Sequence, residues 1–128
     1  MKTVIVVVAL IIEQGKILIT QRKKDSSQAF LWEFPGGKVK EGEEPREALR
    51  RELMEELEIE VEVGMIFDAV FYSYPEYPIL LLVYRCRVEK GSPKPIACHD
   101  LRWVPLRELA KFPMPPADDP IRKHLLSL

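Results

Sequence analysis

The segment Glu44–Leu57 constrains this chain most, because it is amphipathic at helical spacing and gathers carboxylates on its polar face. Ala48, Leu49, Leu53 and Leu57 form an apolar stripe that a stable fold must cover. Pro45 suits the first turn of a helix, and Glu43 and Glu44 lie at the end where negative charge is favoured. Runs rich in β-branched residues surround this helix and supply the cover. Val4–Ile12 and Ile17–Arg22, joined through Glu13-Gln14-Gly15-Lys16, read as a hairpin. Val61–Tyr74 and Ile79–Val88 read as two long strands around Pro75-Glu76-Tyr77-Pro78, and Leu101–Val104 as a short last strand. Lys23–Ala29 is expected to be a loop, and Pro35-Gly36-Gly37 to interrupt the apolar segment Leu31–Phe34. Leu106–Lys111 and Ile121–Leu126 look helical, with the proline-rich Phe112–Pro120 between them. Strands and helices mix without βαβ alternation, so periodicity predicts a mixed α/β (α+β) domain.

The chain has 128 residues, which suits one domain over residues 1–128, and 47% hydrophobic content provides for a core. Its 19 basic and 20 acidic side chains nearly cancel, so no global field marks a binder of nucleic acid polymers. An anionic ligand would need local positive charge or a metal. Cys86 and Cys98 are the only cysteines, too few for a disulfide framework and outside any Cys-x-x-Cys pair. They read as free thiols in a reducing cytoplasm. The apolar run Thr3–Ile12 is too short to cross a bilayer and reads as a buried strand, so no membrane partner is expected.

Glu52, Glu55 and Glu56 lie three and four residues apart and share one helix face, while Leu53 and Leu57 point away. Like charges so close repel by a few tenths of a kcal/mol per pair, roughly, unless a cation or solvent compensates. Spacing alone leaves two readings: a solvated acidic face with Arg50 and Arg51 as partners, or a site for Mg²⁺ or Mn²⁺, which take hard oxygen ligands. Upstream, Trp32-Glu33-Phe34-Pro35-Gly36-Gly37-Lys38 places two glycines where backbone can approach closely and a carbonyl could join a metal shell.

Gly37-x5-Glu43-x7-Arg51-Glu52-Leu53-x-Glu55-Glu56-x-Glu58-Ile59 resembles the box of the Nudix hydrolases of MutT type, G-x5-E-x7-R-E-U-x-E-E-x-G-U with U a bulky aliphatic, at eight of nine specified positions. The leading hairpin, the Trp-Glu-Phe-Pro-Gly-Gly entry, Arg102-Trp103-Val104 and the proline-rich C-terminal segment extend the likeness over nearly the whole chain. The resemblance implies an α/β/α sandwich around a mixed sheet. It also implies Mg²⁺-dependent hydrolysis of a nucleoside triphosphate to monophosphate and pyrophosphate, by a monomer or homodimer. Glu52, Glu55 and Glu56 would hold the metal together with the Gly36 carbonyl, one glutamate also serving as general base, and Arg51 would pair with Glu43. Two departures stand out. Glu58 occupies the position of the final box glycine, where a left-handed residue would cost about 1 kcal/mol. Ala97-Cys98-His99-Asp100 replaces a loop that often carries a further glutamate, which leaves Asp100 or His99 as stand-ins, or as ordinary loop residues.

For the substrate, Lys38 and Arg22 could face phosphates, and Phe71, with Phe30, Tyr72 and Tyr74, could stack on a base or pack in the core. In Ala117-Asp118-Asp119-Pro120, Pro120 fits the first helical position and Asp119 the N-cap, leaving Asp118 for the base. An ionised Asp118 only accepts hydrogen bonds and would favour an edge offering donors, such as the cytosine amino group; an 8-oxo-purine edge also carries donors, and a protonated Asp118 would widen the choice. Two further readings remain: an ADP-ribose or nucleoside diphosphate sugar hydrolase, to which Pro75 gives slight support, and a non-catalytic binding module of the same fold.

Overall fold

A computed structural model describes residues 2–128. β1 (Val4–Glu13) runs through the middle and pairs in parallel with β6 (Pro78–Lys90), from Val4 opposite Ile79 to Ile11 opposite Cys86. Residues Val7 to Ile11 are buried on both faces, which is why this strand reads as a continuous apolar run. β2 (Lys16–Gln21) turns back antiparallel on the end of β1 and then pairs with β3 (Trp32–Glu33) and with β7 (Asp100–Pro105). β5 (Glu60–Ser73) forms the opposite edge, antiparallel to β6, with its register broken near Ile66.

β4 (Gly36–Lys38) departs from the expected interruption. The chain re-enters the sheet there and pairs antiparallel with Val6–Val8 of β1. A Cβ on Gly36 would meet the Val7 carbonyl oxygen at 2.0 Å, so only glycine lets the strands approach this closely.

Two layers cover the sheet. On one face, α1 (Pro45–Leu57) buries Ala48, Leu49, Leu53 and Leu57 completely against Val7, Ala9, Ile11 and Leu18. Each leucine contributes about 1.5–3 kcal/mol by leaving water. Glu44 caps α1 by accepting hydrogen bonds from the Arg46 and Glu47 amides. Glu58 ends it in the left-handed conformation (φ 56°, ψ 42°), with its N–H bonded to the Met54 carbonyl. On the other face, α2 (Asp119–Leu126) and the 3-10 turns Leu106–Lys111 and Pro116–Asp118 bury Leu109, Ala117, Ile121 and Leu125 against Val8, Leu10, Val70 and Leu81. The result is the α/β/α sandwich around a mixed sheet.

Leu106–Lys111 is thus a 3-10 segment rather than an α-helix. Asp119 is also not a capping residue: α2 begins on it, and its carboxylate pairs with Arg122 (2.9 Å) and Lys123 (3.1 Å) on the next turn. Among the described residues, no helix is long and apolar enough to cross a membrane.

Candidate active site

The polar face of α1 is organised by Arg51. Its guanidinium grips Glu43 with two parallel bonds (Nε to Oε2, 2.7 Å; Nη2 to Oε1, 2.9 Å), which ties the loop before α1 to the helix. The same group donates to Glu52 (3.0 Å), Glu55 (3.1 Å) and the Lys38 carbonyl (3.1 Å). The Arg51 bond and the Lys40 amide hold the Glu43 carboxyl down at about 2, so it stays ionised.

The next carboxylates lie deeper and behave oppositely. Burial raises Glu52 above the usual carboxylate range against the pull of Arg51. Its carboxyl lies against Gly37, where a Cβ would meet it at 2.3 Å, so the glycine keeps open the space that Glu52 fills. Glu56 is pushed up to about 8, by burial first and then by the charges of Glu33 and Glu52. Glu55 is the exposed member of the three.

Glu33, given no role by its sequence position, lies between the two ends of the site. It accepts a hydrogen bond from Arg22 (2.9 Å), burial raises its pKa, and its charge acts on both Glu56 and Asp118. Arg22 also donates to the Ser27 carbonyl (2.8 Å), so it orders the loop and neutralises Glu33. The signal for Glu33 was its place between Trp32 and Phe34, both buried, in a strand of period two.

A cleft of about 640 Å³ runs from Gly36, Gly37, Lys38, Arg22 and Glu33 to Tyr74, Ala117 and Asp118. The Lys38 ammonium lies 5.2 Å above the Tyr77 ring at its rim. Asp118 is only 7% exposed, and burial followed by the Glu33 charge raises its pKa well above the ordinary aspartate value. Of the two protonation states open to Asp118 from sequence, burial favours the protonated carboxyl, which donates as well as accepts.

Phe71 requires a second correction. It is 62% exposed on the β5 edge and absent from the cleft wall, because inward-facing Val70 turns the next side chain outward. Tyr74 occupies the cleft instead. His99 and Asp100 are not among the lining residues either. The His99 ring stands edge-on to Phe30 (4.9 Å), and Asp100 accepts from the Leu101 amide (2.8 Å). The preceding loop caps the end of α1, with the Lys94 N–H on the Leu57 carbonyl and the Ile96 and Ala97 N–H groups on the Glu56 carbonyl. Cys98 is the loop residue that feels Glu56: burial and that charge push its thiol up to about 11.

The donor set suits a hard divalent cation. Glu56 is a buried carboxyl facing Glu33 and Glu52 with no ion pair of its own: the buried Thr20 hydroxyl beside it and the more distant charge of Arg22 offset the burial only in part. Among the described residues no three carboxylates already converge as a closed cluster. Arg51 lies among Glu43, Glu52 and Glu55, so binding would draw carboxylates in rather than meet a finished cage.

Comparison with known proteins agrees with this geometry. The model of the NUDIX domain family matches residues 7–124. The chain belongs to the Nudix family. A CTP pyrophosphohydrolase of Escherichia coli K12 is 38% identical over 128 residues, covering 100% of this chain and 95% of that protein. An 8-oxo-dGTP diphosphatase of the same organism is 34% identical over 116 residues, covering 91% and 90%. Among Nudix structures, a MutT hydrolase from Burkholderia pseudomallei superposes with a TM-score of 0.87 at 26% identity, covering 98% of this chain and 99% of that one. The E. coli ORF135 protein gives 0.86 at 38% identity, covering 100% and 91%. Nudix hydrolases as a family use divalent metal.

Proposed function

We propose that this Nudix hydrolase converts a nucleoside triphosphate and water to the nucleoside monophosphate and pyrophosphate, with Mg²⁺ as its metal and Mn²⁺ as a substitute. The observation that carries the reading is one continuous cleft, backed at one end by the Gly37–Glu52 contact and closed at the other by buried Asp118. Its volume falls within the range of small-ligand sites. Similarity along the full chain to a CTP pyrophosphohydrolase and along most of it to an 8-oxo-dGTP diphosphatase supports the same class.

In this reading Glu52, Glu55 and Glu56, with the Gly36 carbonyl, hold the cation. Bound there, it would neutralise phosphate charge and acidify the attacking water. Arg51 and Glu43 hold the loop and helix in register. One of Glu52, Glu55 and Glu56 would also take the proton released as water attacks. Lys38 supplies positive charge to the phosphates from the rim, while Arg22 acts mainly through Glu33. Protonated Asp118 would read a base edge that pairs a donor with an acceptor, as cytosine and guanine edges both do. Similarity to a CTP pyrophosphohydrolase and to an 8-oxo-dGTP diphosphatase favours cytidine nucleotides and oxidised guanine nucleotides over nucleoside diphosphate sugars.

The test is Mg²⁺-dependent pyrophosphate release from CTP, 5-methyl-dCTP, 8-oxo-dGTP, dGTP and ADP-ribose. A preference for ADP-ribose would overturn the substrate class. Glu52→Gln should abolish turnover while nucleotide binding persists; unchanged turnover would remove the glutamate helix from the chemistry.

A further inference from the structure

Met114-Pro115-Pro116-Ala117-Asp118 contains two successive prolines, neither of which has a backbone N–H. In the 3-10 turn Pro116–Asp118, the Asp118 N–H bonds the Pro115 carbonyl (3.0 Å). The Ala117 N–H comes one residue earlier and has no turn carbonyl to bond, yet Ala117 is only 2% exposed. A buried amide in that position needs a partner from elsewhere in the chain.

Tyr74 provides it. Its hydroxyl accepts the Ala117 N–H at 3.1 Å across a sequence separation of 43 residues. The tyrosine lies just past the end of β5, its ring packed against Tyr72 at 4.7 Å between centroids. It lines the same cleft as Gln28 and Asp118. Gln28, held at a left-handed φ of 57°, lines the cleft from the Lys23–Leu31 loop. Two segments far apart in sequence thus meet at one oxygen atom in the cleft that Asp118 lines.

We infer that Tyr74 is a positioning residue for substrate selection: its hydroxyl holds the Ala117 amide, and so fixes the turn that presents the Asp118 carboxyl to the base. Phenylalanine would fill the same space and bury the same ring, but would leave the amide unbonded and the turn free to rotate. The hydroxyl therefore contributes to which base is taken, while the ring contributes to packing. The inference rests on Asp118 as the base reader of the proposed triphosphate hydrolase.

The experiment compares wild type, Tyr74→Phe, Asp118→Ala and the double variant on CTP, 8-oxo-dGTP and dGTP, with kcat and KM measured separately. Tyr74→Phe should raise KM for the preferred nucleotide about tenfold, the equivalent of one lost hydrogen bond, with kcat within about twofold. Its preference ratio should fall by a similar factor. In the Asp118→Ala background the same change should do nothing further. Hydrogen exchange at the Ala117 amide should accelerate in Tyr74→Phe while exchange in β1 stays slow. An unchanged preference ratio, or an equal loss for every nucleotide in both backgrounds, overturns the inference. Failure of the wild type to release pyrophosphate from any nucleotide would instead refute the proposed function.

Discussion

Glu56 makes the metal-free protein sensitive to pH in a direction opposite to that of an ordinary ion-paired carboxylate. Its carboxyl titrates near 8 in the folded chain, against an ordinary value of 4.5, because burial and the charges of Glu33 and Glu52 disfavour ionisation. The native state therefore holds this proton more tightly than the unfolded chain does. The stabilisation is complete below about pH 4.5 and is lost as pH rises through about 8. At 1.36 kcal/mol per unit the gap sets a ceiling of about 5 kcal/mol, reduced as the carboxyl and its neighbours relax once charged. Glu52 and Glu33 are raised in the same direction and add to the slope, while Glu43, held down at about 2, loses its contribution only in strong acid. The assay is urea unfolding between roughly pH 5 and pH 9, with chelator and again with saturating Mg²⁺. With chelator, stability should fall steadily over the upper half of that range. With Mg²⁺ the slope should flatten or reverse, because the cation binds the deprotonated carboxyl and stabilises the native state alone. Glu56→Gln should remove most of the chelator slope. A metal-free protein equally stable at both ends of the range, or a slope unaltered in Glu56→Gln, would refute the reasoning.

Other substitutions separate fold from site. Glu58→Gly should stabilise the protein by about 1 kcal/mol, or roughly 3 °C in thermal unfolding, since it relieves a left-handed glutamate and loses only the long, exposed contact with Lys94. Gly37→Ala should displace the Glu52 carboxyl and lower Mg²⁺ affinity by about 10–100-fold in titration calorimetry, with a small change in melting temperature. Gly36→Ala should destabilise the fold itself, through its clash with the Val7 backbone, and lower the melting temperature. Leu53→Ala, at a fully buried position, should cost about 2–5 kcal/mol in denaturant unfolding without altering the preference among nucleotides.

What could be read from the sequence follows from how each residue makes itself visible. The α1 stripe was visible because four buried positions repeat at helical spacing, and the hairpin and long strands because their β-branched runs have no other use. β4 was hidden because glycines carry no pattern; only the Val7 backbone across the ladder explains them. Asp118 and Asp119 both precede Pro120, and local signals cannot rank them. Arg122 and Lys123 claim Asp119 on the helix surface, while the cleft takes Asp118. Phe71 and Tyr74 differ by orientation: one turns outward on β5, and the other lies past the strand end, where the chain bends into the cleft. Tyr74 was legible only as an aromatic ring, because the use of its hydroxyl comes from an orphaned amide 43 residues downstream.

The charge balance explains why such a cleft must work with a cation. Overall the chain carries 19 basic and 20 acidic side chains, so no long-range field draws in a triphosphate. Locally the balance is worse. Glu33, Glu52 and Glu56 act on one another, and of the basic groups nearby Arg22 is bound to Glu33 and Arg51 to Glu43, Glu52 and Glu55. Lys38 alone among the cleft's basic side chains is not paired with a carboxylate. One lysine cannot offset a triphosphate entering against ionised glutamates. In the proposed reading the nucleotide must therefore arrive with its counter-cation, or find one already held on α1. Binding of a non-hydrolysable triphosphate should accordingly require a divalent cation even where no bond is broken, and Lys38→Gln should weaken that binding while leaving the cation requirement intact.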